Sequence, residues 1–343
     1  AIELSPKIVD NYINRGIAKY ELKDYKGAIE DYTKALTLNS KDVDIYRNRA
    51  IAKFYIKDYK GAVEDYNKVI EINPNEIELY INRGIAKANL KDYKGAIDDY
   101  SKAIEKDSSL SSAYFNRGIA KTNLKDLKGA IADYSSAINL NPKYLDAYNN
   151  RGLAKCSLKD YKGAIADFSK VIALDSNNVK AFLHRGDARI NIKDYKGAVA
   201  DFSKVIAKNP KSIDAYINRG IAKKNLKDTK GAIEDFSKAI GIDSTNSFAY
   251  FNRGLAKASA KDYKAAIADY TKTINTNPKD AITYYNRGIA KTEIKDYKGA
   301  IEDYNIAIEL NPKYTNAFIN RGIAKTKIKD YKGSIDDYNS AIS

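Results

Sequence analysis

The chain has 343 residues, 44% hydrophobic and 30% charged, with 59 lysines and arginines against 44 aspartates and glutamates and a formal net charge of +15. A single cysteine, Cys156, excludes an intramolecular disulfide framework, and no apolar run approaches the roughly 20 residues of a membrane-spanning helix. The opening Ala1-Ile2-Glu3-Leu4 lacks signal-peptide character, so a soluble chain is expected, with its compartment left open.

Residues 1–8, Ala-Ile-Glu-Leu-Ser-Pro-Lys-Ile, read like residues 307–314, Ala-Ile-Glu-Leu-Asn-Pro-Lys-Tyr. They are expected to be the tail end of a preceding repeat. From residue 9 onward a 34-residue period is marked by Arg15-Gly16 and its equivalents through Arg321-Gly322, with Arg49-Ala50 as the departure. The units begin at residues 9, 43, 77, 111, 145, 179, 213, 247, 281 and 315, and the last stops short at Ser343. A repeat of that length is one supersecondary unit that cannot bury its apolar face alone. The expectation is therefore a single array over residues 9–343 with a distributed core. The last unit ends without a polar capping helix, which reads as a fragment of a longer array.

Within the first unit, Tyr12, Ala18 and Leu22 form a helical stripe, and Ala28, Ile29, Tyr32, Ala35 and Leu36 form a second one that ends at Asn39-Ser40. Asp24 stands between them as an N-cap, where its carboxylate can accept from first-turn amides and suits the helix dipole. Pro6, Pro74, Pro142 and the other three prolines all fall in the loops between units, where helices stop. Of the 19 glycines, one row follows the repeated arginine, a second sits in the Lys-Gly step of Lys26-Gly27-Ala28, and Gly241 remains. Glycine inside a helix costs about 0.5 to 1 kcal/mol relative to alanine, so both rows are expected to mark close helix–helix approach. The loops alternate Asn73-Pro74, Asp107-Ser108, Asn141-Pro142 and Asp175-Ser176, a trace of growth by pairs of units.

An aromatic at Tyr12, a small residue at Gly16, Ala28, an aromatic at Tyr32, Ala35 and a loop proline make the unit similar to the tetratricopeptide repeat (TPR) family over nearly the whole chain. The resemblance implies an all-α fold, a right-handed α-solenoid or superhelix of ten helix-turn-helix units. It also implies a non-enzymatic protein–protein interaction module whose first helices line a concave groove. One feature departs from the family pattern. Arginine occupies an ordinarily apolar position in all ten units, Arg15 to Arg321, and is matched by an aspartate in every second helix, Asp31 to Asp337. Equal numbers of acids and bases read as a repeated structural ion pair, since an unpaired buried charge is costly.

The resemblance places the groove at the positions of Asp10, Ile13, Asn14, Ile17, Tyr20 and Glu21. At the third of these the repeats carry Asn14, Asn48, Asn82, Asn116, Asn150, His184, Asn218, Asn252, Asn286 and Asn320. A short amide with two donors and an acceptor can pair with both the C=O and the N–H of an extended peptide without reading its side chains. The row is similar to the asparagine ladder of the long TPR superhelices in O-linked N-acetylglucosamine transferases. The alternative is that the amides cap neighbouring helices or bond one another. Flanking apolar residues at the Ile13 position are candidate side-chain pockets, whereas those at the Ile17 position are expected to contribute to helix packing. Arg47, Phe115, Phe251 and Tyr285 vary the first flanking row and are candidate selectivity residues.

In the sixth unit Lys180, His184 and Asp187 share one helical face and form a candidate polar selectivity or pH-sensitive point, or a local network without a ligand. Across the groove positions eight acids face four bases, so nucleic acid is an unfavoured partner for the groove. Most of the positive excess lies in the Lys-Asp-x-Lys turns, from Lys23 to Lys332, which leaves RNA or an anionic surface as an alternative ligand of the rim. No nucleophile–base pair, metal cluster or cofactor motif is found, and a Cys156–His184 dyad is too widely separated in register. A further alternative is a scaffold stacking head to tail through the uncovered face of Ile335, Tyr338 and Ile342.

Overall fold

A computed structural model describes residues 8–342, so most of the segment read as a preceding repeat's tail lies outside the described residues. The described residues form twenty α-helices and no strand, in ten pairs that keep the sequence period. In each pair a helix of 13 residues, first Val9–Glu21, is followed by a short turn and a helix of 14 residues, first Tyr25–Leu38, the last second helix being Tyr331–Ile342. These are called helix A and helix B of each repeat. By their contacts the helices divide into two compact units, Ala1–Ser176 and Asn177–Ser343, each with five pairs. None is long and apolar enough to cross a membrane.

The turn between the helices is built by three residues. The Lys23 and Asp24 amides donate to the carbonyls of Tyr20 and Lys19, both at 2.8 Å, satisfying the last carbonyls of helix A. To make that turn Lys23 and its nine equivalents adopt left-handed backbone, with φ between 63° and 69°. Glycine is the usual occupant of such a site, but a lysine brings positive charge to the helix C-terminus. Asp24 then caps helix B by accepting from the Gly27 amide at 3.0 Å.

The two glycine rows have different causes. A Cβ on Gly16 would lie 2.6 Å from Cε1 of Tyr32, so this row does mark close packing of helix A on helix B. A Cβ on Gly27 would instead lie 2.2 Å from the capping carboxylate of Asp24, and the expectation of helix–helix approach fails for this row. In the eighth repeat Ala265 takes that place and its amide still reaches Asp262, at 3.2 Å.

Within each unit a core cell is closed by the repeat that follows it. Tyr12, Ala28, Tyr32, Ala35 and Leu36 of the first repeat are buried together with Ile45 and Ala52 of the second. The aromatic of helix B is the centre of the cell, fully buried as Tyr66, Tyr100, Tyr134, Phe168, Phe202 and Phe236 in successive repeats. Leu22 was expected in the stripe, yet it is 81% exposed at the C-cap of its helix. On the last helix Ile335 and Ile342 are 59% and 85% exposed.

Candidate functional site

The repeated arginine belongs to the frame. In the fourth repeat Arg117 donates from Nε and Nη2 to the two oxygens of Asp133, at 2.9 and 2.7 Å. Lys121, one turn on, reaches the same carboxylate at 2.7 Å, and the guanidinium lies 5.5 Å from the centre of the Tyr114 ring. The remaining nitrogen, Nη1, donates to Ser101 of the preceding repeat at 3.0 Å. The ion pair is therefore formed within a repeat, and the guanidinium also ties that repeat to its neighbour. Burial alone would favour protonated Asp31, but hydrogen bonds from Arg15 and Lys19 hold its carboxyl below the ordinary range. The lysine row, Lys19 to Lys325 with Arg189 in the sixth repeat, was missed in the sequence. Its signal was the Arg-x-x-x-Lys spacing, which puts both cations on one helical face.

Beyond the frame, the surface of the A helices carries a recurring cavity. Between the first two repeats Ile17, Tyr20, Glu21 and Tyr32 face Asn48 and Ile51 across about 240 Å³. Ile51 also borders the next cavity, about 250 Å³, with Phe54, Tyr55, Tyr66, Asn82 and Ile85. The same register returns around Asn150, with Ile119, Tyr134 and Leu153, and around Asn320, with Ile289, Tyr304 and Ile323. The Ile17 row, expected to serve packing, thus lines these cavities. Phe115 and Tyr285 of the first flanking row pack instead at a tilt against Tyr144 and Tyr314, with ring centres 4.7 and 4.8 Å apart. Phe251 packs near Tyr270 and borders a separate cavity with Phe248 and Ile282.

The asparagine row behaves differently in the two compact units. Asn14 is exposed, and Asn48, Asn82, Asn116 and Asn150 are half-buried with amides that make no hydrogen bond to other described residues. In the second unit Asn252 is 6% exposed and donates to the carbonyl of Phe248 at 2.9 Å. Asn286 donates to Ile282 in the same way, Asn218 to Asp187 at 2.8 Å, and Asn320 to the Tyr285 hydroxyl at 3.1 Å.

Among the candidate selectivity residues, Arg47 is held by Asp44 and Glu76. Lys180 is exposed, while His184 is half-buried with its imidazole pKa lowered, first by burial and then by Lys180. Burial raises the Asp187 carboxyl to about 6, with Asp214 adding to the shift and the Asn218 hydrogen bond opposing it. No group of three or more His, Cys, Asp or Glu suited to a metal occurs among the described residues. Tyr55 escaped the sequence reading although it aligns with Glu21 under the 34-residue ruler.

Family models described as tetratricopeptide repeat match residues 9–42, 43–76, 145–178 and 281–314 and, in a second form, residues 77–109, 213–246 and 249–280. Two further TPR forms match residues 120–158 and 180–212. No curated protein sequence matches the chain. Among solved structures, YrrB, described as a TPR protein with an unusual peptide-binding site, is 25% identical over 55% of this chain and 96% of its own, with a TM-score of 0.51. The C-terminal part of a TPR repeat-containing protein from Cytophaga hutchinsonii is 22% identical over 69% of this chain and 97% of its own, with a TM-score of 0.61. A tetratricopeptide repeat protein from Parabacteroides merdae is 21% identical over 74% and 97%, with a TM-score of 0.51. The last two likenesses bear on the fold alone.

Proposed function

The chain belongs to the tetratricopeptide repeat family, and from that premise we propose that it is a non-enzymatic interaction module that binds an extended or disordered protein segment along its A helices. The observation that carries this reading is the run of unbonded amides, Asn48, Asn82, Asn116 and Asn150, three of which stand on cavity walls. Each offers donors and an acceptor to a passing backbone, while the neighbouring cavities receive side chains. The peptide-binding site of YrrB supports the same class of ligand. The test compares proteins captured from the native source by the unaltered chain and by a variant with these four asparagines replaced by alanine. Mass spectrometry should find partners lost from the variant, and an unchanged set would remove the clamp.

A further inference from the structure

We propose that the first three repeats form a docking site for a basic segment in the polyproline II conformation, with apolar side chains at every third residue seated in consecutive cavities. The proposal rests on the groove reading above and names its ligand class. Five observations carry it.

The two cavities bordered by Ile51 are enclosed by aromatic side chains, Tyr20 and Tyr32 in one and Phe54, Tyr55 and Tyr66 in the other. At the Tyr20 position the later repeats have Ala88, Thr122, Cys156, Ile190, Lys224, Ala258, Thr292 and Thr326, so this enclosure is particular to the first two repeats. The rings of this wall also pack on one another. Tyr55 stacks on Tyr25 at 4.8 Å, and Tyr20 meets both rings edge-on at 5.4 and 5.8 Å, although Tyr55 is 55% exposed. An ordered, exposed tyrosine offers large contact area with little entropy to lose on binding.

Spacing selects the ligand's backbone. Packed helices lie about 8 to 10 Å apart, and the A helices of the first two repeats come within 8 Å at their Cα atoms. Three residues of polyproline II advance about 9.3 Å and complete one turn, so every third side chain points the same way. Three residues of β-strand span about 10 Å but turn the third side chain to the opposite face. At that helix spacing a polyproline II segment keeps every third side chain on one face, whereas a strand does not.

Hydrogen bonding agrees with that choice. A polyproline II segment leaves its carbonyls unpaired, and prolines supply no N–H, so the ligand asks mainly for donors. The amides of Asn48 and Asn82, both unbonded, stand at the two cavities. Charge specifies the flanks: Asp10, Glu21 and Glu78 are exposed along these helices, while Arg47 is held by Asp44 and Glu76, and Arg15, Arg49 and Arg83 are engaged by Asp31, Asp65 and Asp99. A lysine or arginine beside the apolar triplets complements this surface.

The test is fluorescence anisotropy with a labelled synthetic peptide of three Leu-Pro-Pro triplets followed by Arg-Lys. A shuffled peptide of the same composition that breaks the triplet period serves as comparison. The periodic peptide should bind at least about tenfold more tightly, and Tyr55→Ala should remove most of that advantage. Circular dichroism should show the variant folded, as expected for an exposed side chain. Equal binding of the two peptides, no binding of either, or unchanged affinity in both Tyr55→Ala and Phe54→Leu would overturn the proposal. If the periodic peptide fails while the four asparagine substitutions still change the captured partners, the groove reading stands and this inference falls. If it binds through Tyr55 while those substitutions change nothing, the cavities stand and the asparagine clamp falls.

Discussion

Arg117 and Asp133 are joined by two parallel hydrogen bonds, and the aspartate side chain retains only 5% of its exposure. Such a fork fixes both direction and distance, so it sets how helix B lies on helix A. Removing the acid leaves Arg117 and Lys121 facing each other without their shared anion. Asp133→Ala should therefore destabilise the fourth repeat by about 3 kcal/mol, the scale of breaking a partly buried ion pair from one side. Urea unfolding combined with hydrogen exchange checks this, since neighbour-coupled repeats can unfold in segments. A change below about 1 kcal/mol would show that the frame does not depend on the pair.

A second consequence concerns the turn. Lys193 has φ of 63°, a conformation that a Cβ disfavours, and its equivalents in the other repeats share it. Lys193→Gly should relieve the backbone, offset in part by lost helix-dipole attraction, for a net gain of roughly 0.5 kcal/mol. Lys193→Val, with a branched Cβ, should lose more than about 1 kcal/mol. Thermal melting of the two variants should move in opposite directions.

Much of this frame was legible because the period makes each position an aligned column within one sequence. Tyr32, Ala28 and Asp24 declared core and cap in that way, and the Arg15–Asp31 pairing followed from equal numbers. The second function of the arginine, Arg117 to Ser101 across repeats, was not legible, since serine alternates there with threonine and asparagine. The Gly27 row misled for a different reason: the side chain nearest to an added Cβ lies three residues away in its own cap. The division of the asparagine row was also hidden. Sequence shows the same residue in nine repeats, while its hydrogen bonding depends on neighbours such as Asp187 and Tyr285.

The sixth repeat should make stability depend on pH. Burial raises the Asp187 carboxyl from 3.8 to about 6, so the folded state holds this proton more tightly than the unfolded chain does. Its contribution to stability is fully present below about pH 3.8 and is lost as pH rises through about 6. Asp187→Asn keeps an oxygen able to accept from Asn218 but removes the buried charge. The variant should melt higher than the parent near pH 8, and the difference should vanish near pH 4. A difference that is independent of pH would remove the titration of Asp187 as its cause.

The asparagine row itself yields the most discriminating comparison, because Asn116 and Asn252 align in the repeat and differ in surroundings. Asn252 is 6% exposed, with its amide on the Phe248 carbonyl, so Asn252→Ala should lose about 1 kcal/mol for the hydrogen bond and the space vacated. Asn116 has no such bond. Alanine is the better helix former by about 0.5 kcal/mol, so Asn116→Ala should gain a few tenths. Urea midpoints of the two single variants measure both signs. A stabilising substitution at Asn116 would mean that the folded chain keeps this amide at the expense of its own helix, as a binding residue does. Equal losses at both positions would instead make the row structural throughout, and the peptide clamp would lose its main support.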